Sequence, residues 1–164
     1  MKARKIRNLA KKYGIAIIYL FGSQAENGGL KMRLFIADDS EILRTRLIEM
    51  LSELKDIEII GHAENSHEAV EAVERLKPNV VILDIRMPKG DGILALETIK
   101  RSEHAPVVIM FTNYPYPQYR KKCMEAGADY FFSKSTEFEA LTEVLRQMTQ
   151  NPRKAENRDG KANN

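Results

Sequence analysis

From Met32 onward the sequence alternates between two periods, and this alternation restricts the fold more than any other feature. Short apolar runs rich in β-branched residues occur at Met32–Ala37, Ile57–Gly61, Val80–Leu83, Val107–Phe111 and Tyr130–Phe132. Between them, apolar residues recur at helical spacing. Leu43, Leu47, Met50, Leu51 and Leu54 fall on one helical face, and Phe138, Leu141, Val144, Leu145 and Met148 on another. The order is (βα)5. Strands joined by single helical crossovers run parallel, and right-handed connections place helices on both faces of the sheet. The reading is therefore an α/β, doubly wound parallel sheet.

Punctuation agrees with this order. Pro88-Lys89-Gly90-Asp91-Gly92 and Asn113-Tyr114-Pro115-Tyr116-Pro117 follow the third and fourth runs, where prolines and glycines make sharp turns into the next helix. Thr136-Glu137-Phe138-Glu139 reads as a capping box that starts the last helix. The polar residues 150–164 show no apolar periodicity and are expected to be disordered. The chain thus divides into an N-terminal extension over 1–31, one domain over 32–149 and a tail over 150–164.

Charge is unevenly spread. The formal net charge of +3 conceals a basic start, because residues 1–31 carry seven Lys/Arg against Glu26 alone, or +6, and the remainder is −3. A nucleic-acid partner needs a basic patch on the folded body, so this distribution argues against one. The single cysteine, Cys123, has no internal disulfide partner, which fits a reducing compartment and hence the cytoplasm. The apolar stretch Ile15–Phe21 after the basic start loosely imitates a secretory signal but is far too short to span a bilayer. His62, His67 and His104 share no metal-ligand spacing.

In an open parallel sheet, ligands bind outside the carboxyl ends of the strands, where strand order reverses. The residues just past the strands are Asp38 and Asp39, Asp84, Thr112 and Lys134. Three carboxylates crowded together raise one another's pKa unless a cation lies among them. All-oxygen ligation with few protein carboxylates favours Mg2+, which keeps several waters and takes further ligands from phosphate. The Lys134 ammonium and the Thr112 hydroxyl suit phosphate oxygens. Asp84 is placed to act as a nucleophile that holds phosphorus as an aspartyl-phosphate. Each residue alone has a plainer use. An acidic pair before Ser40 suits a helix cap, Asp84 a turn, Thr112 a strand end and Lys134 a solvated charge. Their coincidence at one end of successive strands favours metal and phosphate.

With these residues placed, the sequence closely resembles the receiver domains of bacterial two-component response regulators. The resemblance covers about Met32 to Thr149 and rests on Asp38-Asp39, "LDIRMPKGDG" from Leu83 to Gly92, "MFTN" around Thr112 and "GADYFFSKS" around Lys134. It implies the flavodoxin-like strand order 2-1-3-4-5 and Asp84 as phosphoacceptor. It further implies Mg2+ held by Asp39, Asp84 and the backbone carbonyl of Arg86, with Asp38 helping through water. Thr112 and Lys134 then hold phosphoryl oxygens, and Phe131 occupies the aromatic switch position. Phe131 has no hydroxyl, so a switch there rests on ring packing; Arg86, two residues past Asp84, is placed to influence phosphoryl lifetime. The implied partners are a sensor histidine kinase or phosphotransfer protein and a downstream protein. About 15 residues follow the domain, fewer than a helix-turn-helix output module needs, so the reading is a receiver standing alone.

Ile6–Gly28 resembles the start of minimal nucleotidyltransferase domains, which lead into a Gly-Ser turn. Such enzymes need two carboxylates about ten residues past the serine, and Leu34 and Ile36 stand there. The competing functions are therefore a phosphorylation-dependent signalling module without activity beyond its own phosphorylation and dephosphorylation, a nucleotidyltransferase-type fragment, and a truncated transcriptional regulator.

Overall fold

A computed structural model describes residues 31–150. The expectations for residues 1–30 and 151–164, including the nucleotidyltransferase-like turn and the disordered tail, lie outside the described residues. The elements in order are β1 (Met32–Ala37), α1 (Glu41–Ser52), β2 (Ile57–Ala63), α2 (Ser66–Leu76), β3 (Val80–Leu83), α3 (Gly92–Lys100), β4 (Val107–Thr112), α4 (Pro117–Glu125), β5 (Tyr130–Ser133) and α5 (Phe138–Gln150). All five strands form one parallel sheet in the order β2-β1-β3-β4-β5, the flavodoxin-like arrangement. Three strands run slightly beyond their apolar runs because the pairing continues, Ala37 opposite Ala63 and Thr112 opposite Ser133.

Period-2 alternation divides the strand residues between two cores. Phe35, Val81, Leu83, Met110 and Phe131 face one side, where Ala69 and Val73 of α2, Leu96 and Ile99 of α3 and Cys123 of α4 pack. Leu34, Ile36, Ile82, Ile109 and Phe111 face the other, against Leu47 and Leu51 of α1 and Leu141 and Leu145 of α5. Burying such a side chain fully contributes roughly 1.5–3 kcal/mol. With both faces covered, the central strands carry no polar alternation; β3 is buried at all four positions. β2 holds one extra residue where its register with β1 shifts, and Gly61 beyond that shift sits under Phe35. A Cβ on Gly61 would lie 3.2 Å from the Phe35 ring.

Helix starts follow side-chain caps. Ser40 Oγ accepts from Leu43 N, Asn65 Oδ1 from Glu68 N and Asp91 Oδ1 from Ile93 N, each satisfying a backbone donor at a helix end. Two sequence expectations need correction. α1 ends at Ser52, so Leu54 packs from the turn that follows it rather than from the helix. The capping box at Thr136 is displaced: the first helical bond of α5 runs from Leu141 N to the Glu137 carbonyl. Glu137 Oε2 accepts from Ser133 N at 2.8 Å, pinning the β5–α5 turn back onto β5.

Candidate phosphoacceptor and metal site

The sheet ladder continues one residue past three strands and thereby fixes the site. Asp38 N donates to the Ala63 carbonyl, Asp84 N to the Ala37 carbonyl and Lys134 N to the Thr112 carbonyl, at 3.0, 3.0 and 2.9 Å. Asp38, Asp84, Thr112 and Lys134 are thus brought to one edge by β1, β3, β4 and β5. Asp38 is buried and Asp39 exposed.

Lys134 joins the buried acids. Its Nζ lies 2.6 Å from Asp84 Oδ2 and 2.6 Å from Asp38 Oδ2, and its side chain is only 6% exposed, so it is not a solvated charge. Burial opposes the ammonium, but the charge of Asp84 and the hydrogen bonds to both carboxylates outweigh it, and the Lys134 pKa lies above the usual lysine value. Burial pushes the Asp38 carboxyl above its ordinary range, against the downward pull of Lys134 and of the Ser40 N–H on Asp38 Oδ1. The second Asp84 oxygen accepts from Ile85 N at 2.7 Å.

Oxygen atoms of Asp38, Asp39 and Asp84 all lie within 4.8 Å of one another. Three carboxylates without imidazole or thiolate form a donor set that fits a hard divalent cation such as Mg2+. A cation held there would lie beside the Lys134 ammonium, which contacts Asp38 Oδ2 and Asp84 Oδ2. Thr112 is fully buried, and its Oγ1 accepts from Tyr114 N at 3.2 Å. That bond uses a lone pair, while the hydroxyl proton remains able to donate.

The β3–α3 turn wraps closely under Asp84. A Cβ on Gly92 would fall 2.0 Å from the Asp84 carbonyl oxygen and 2.7 Å from that of Ile85, so only glycine fits there. Lys89 in the same turn has φ 53. The backbones of Arg86 and Asp91 pair in an isolated antiparallel β-bridge. The Arg86 guanidinium lies 4.3 Å over the Tyr114 ring and donates to Tyr119 Oη at 3.4 Å. Phe131 is 3% exposed and faces inward, with Arg120 over its ring.

Sequence reasoning named Asp38, Asp39, Asp84, Arg86, Thr112 and Lys134; of these, Asp38, Asp39, Asp84, Thr112 and Lys134 meet at one edge, and Arg86 lies in the β3–α3 turn. Sequence reasoning missed Arg44, whose Nη1 donates to the Asp38 carbonyl at 2.6 Å. The signal was present: Arg44 falls in phase with Leu47 and Leu51 on the buried stripe of α1. The aromatic group Tyr114, Tyr116 and Tyr119 stands beside Arg86 in a stretch whose sequence signal is dominated by Pro115 and Pro117.

The family model described as response regulator receiver domain matches residues 34–146, and the chain belongs to that family. It is 39% identical over 115 residues to a protein-glutamate methylesterase/protein-glutamine glutaminase of Hahella chejuensis, a match covering 69% of this chain and 29% of that protein. The chain therefore spans less than a third of that relative's length. It is 38% identical over 117 residues to the chemotaxis protein CheY of Halobacterium salinarum, covering 69% of this chain and 96% of that protein. Among solved structures it is similar to the CheX-CheY-BeF3-Mg2+ complex from Borrelia burgdorferi, with TM-score 0.63 and 28% identity, over 73% of this chain and 88% of that one. Among the described residues, no helix is long and apolar enough to cross a membrane.

Proposed function

We propose that this receiver takes a phosphoryl group on Asp84 from a sensor histidine kinase or a phosphotransfer protein. One observation carries the reading: Lys134 lies between two buried acids at 2.6 Å from each, with Asp39 exposed beside them. A carboxylate oxygen of Asp84 attacks the phosphorus of a phosphohistidine, an O–P bond forms, and the P–N bond breaks with its electron pair leaving on the imidazole nitrogen. Asp39, Asp84 and the Arg86 carbonyl would hold Mg2+, with Asp38 helping through water. When bound, the ion neutralises charge on the phosphoryl oxygens. Lys134 and Thr112 donate to those oxygens, and Lys134 shifts from acid to phosphate without leaving the site.

The phosphorylated state is reported through Thr112 and Phe131 to the face formed by α4, β5 and α5, where a downstream protein reads it. In this reading the chain works in the cytoplasm as a single receiver over 32–149, catalyses only its own phosphorylation and dephosphorylation, and engages neither nucleic acid nor membrane. A second arrangement is supported by the relative of more than three times the matched length: the same receiver controlling an attached output domain.

Intact mass measured after incubation with Mg2+ and a small acyl phosphate, or with a phosphorylated kinase, tests the site. The parent gains one acid-labile phosphoryl group and Asp84→Asn gains none. A variant modified as well as the parent removes Asp84 from the assignment. Label incorporated from the nucleoside monophosphate part of a nucleotide would instead favour the nucleotidyltransferase reading.

A further inference from the structure

Arg44 places a charge where charge is costly. The buried face of α1 runs through Arg44, Leu47 and Leu51, and the Arg44 side chain is 8% exposed. A buried charge persists only when it is paired and hydrogen-bonded. Nη1 donates to the Asp38 carbonyl at 2.6 Å, and Nη2 donates to Glu64 Oε1 at 2.6 Å. The Asp38 backbone is therefore held on both sides, its N–H by the Ala63 carbonyl and its carbonyl by Arg44. That carbonyl belongs to the peptide joining Asp38 to Asp39. Glu64 follows β2 directly, so one guanidinium ties the β1–α1 turn to the β2–α2 turn.

We infer that Arg44 is a positioning residue for the metal-binding carboxylates: its fork clamps the Asp38–Asp39 peptide against the turn after β2, so both side chains are aimed before a cation arrives. The inference rests on the proposed Mg2+ reading of Asp38, Asp39 and Asp84. A planar guanidinium serves both acceptors at once, which a lysine point charge cannot do in the same way. Charge and positioning make opposite demands. Removing a cation beside a metal site should tighten Mg2+ binding if charge alone mattered, whereas releasing the clamp should weaken it.

The experiment uses the full chain and reads the Mg2+ dissociation constant from the amide shifts of Asp39 and Asp84, with thermal unfolding recorded alongside. Arg44→Met weakens Mg2+ binding by about tenfold or more, the scale on which partners behind metal ligands act. Arg44→Lys recovers part of the loss by keeping one donor. Asp129→Asn, which breaks the distant pair with Lys100, leaves Mg2+ affinity unchanged even where it lowers the melting temperature. Should Arg44→Met fail to fold, Glu64→Ala and Arg44→Lys decide, each weakening Mg2+ binding severalfold. Variants that bind Mg2+ as tightly as the parent, or more tightly, overturn the role of Arg44. A parent that shows no Mg2+ shift at Asp39 or Asp84 overturns the metal reading itself and this inference with it.

Discussion

The Arg120 guanidinium lies 4.6 Å over the Phe131 ring and donates to the Phe131 carbonyl at 3.1 Å. The same guanidinium reaches Glu137 Oε2 at 3.6 Å, and that carboxylate accepts from Ser133 N. One side chain of α4 thus touches β5 and the turn that opens α5. The Phe131 ring packs in the core; under the proposed function, phosphorylation would act on an equilibrium in which this inward arrangement is available, and its effect would be limited by differential affinity for the two arrangements.

Thr112→Ala is expected to remain phosphorylated on Asp84, because the nucleophile, the carboxylates and Lys134 are untouched. It should lose most of the amide NMR response over Tyr130–Lys134 that phosphorylation or a beryllofluoride mimic produces in the parent. An undiminished response would exclude Thr112 as the coupling residue.

Lys134→Met leaves Asp38 and Asp84 buried without their shared counterion. Breaking a buried pair from one side costs on the order of 3 kcal/mol, so the variant should melt earlier in Mg2+-free buffer and gain more from added Mg2+ than the parent does. Because the folded pKa of Lys134 is raised, the stability it contributes is complete below the unfolded value of 10.5 and is lost as pH rises through the folded value. The gap between parent and variant should therefore close only at strongly alkaline pH. Equal Mg2+ stabilisation in both proteins would contradict the shared-counterion role.

Burial, with a smaller contribution from the charge of Asp91, pushes the Cys123 thiol up to about 11 from 9.0. Native protein at pH 8 should react with iodoacetamide far more slowly than the urea-unfolded chain, since the thiolate is the nucleophile. The linked stability is fully present below 9.0 and is lost as pH rises through about 11. Rapid native labelling at pH 8, followed by mass, would show that α4 opens readily.

Removing residues 1–31 should leave a cooperative thermal transition and a comparable phosphorylation rate, because both described cores are built from residues 32–145. Loss of cooperativity would reveal that the N-terminal segment packs into the domain.

The fold was legible because a doubly covered sheet forces its strands to be continuously apolar. Val80–Leu83 could be read as a strand to the residue, and the polar group directly after it, Asp84, followed from that boundary. Helix ends were less legible. Thr136 matches a capping pattern that α5 does not use, since the helix opens at Phe138 with Glu137 before it; the Glu137 carboxylate accepts from Ser133 N of the preceding strand, a contact that depends on tertiary placement rather than on local spacing. Arg44 was hidden for a similar reason: a single arginine in an apolar stripe gives its position but not its partners, which come from β1 and the turn after β2. The Phe131 position could be named from the sequence, whereas the Arg120 cover could not, because the two stand eleven positions apart on different elements.

Lys134 stands at the end of β5, while its two partners follow β3 and β1, across β4 in the sheet order. Neighbouring strands are about 4.8 Å apart, so the four-carbon stem and the two carboxylate side chains it meets together bridge the width from β5 to β1, anchored at one end by the Thr112 carbonyl. A substitution deep under β4 that spreads or flattens the strands, with no group of its own near the carboxylates, would be read out at the far end of that stem as a change in the separation of opposite charges. Packing in either core can in this way set the electrostatics of an edge it never touches.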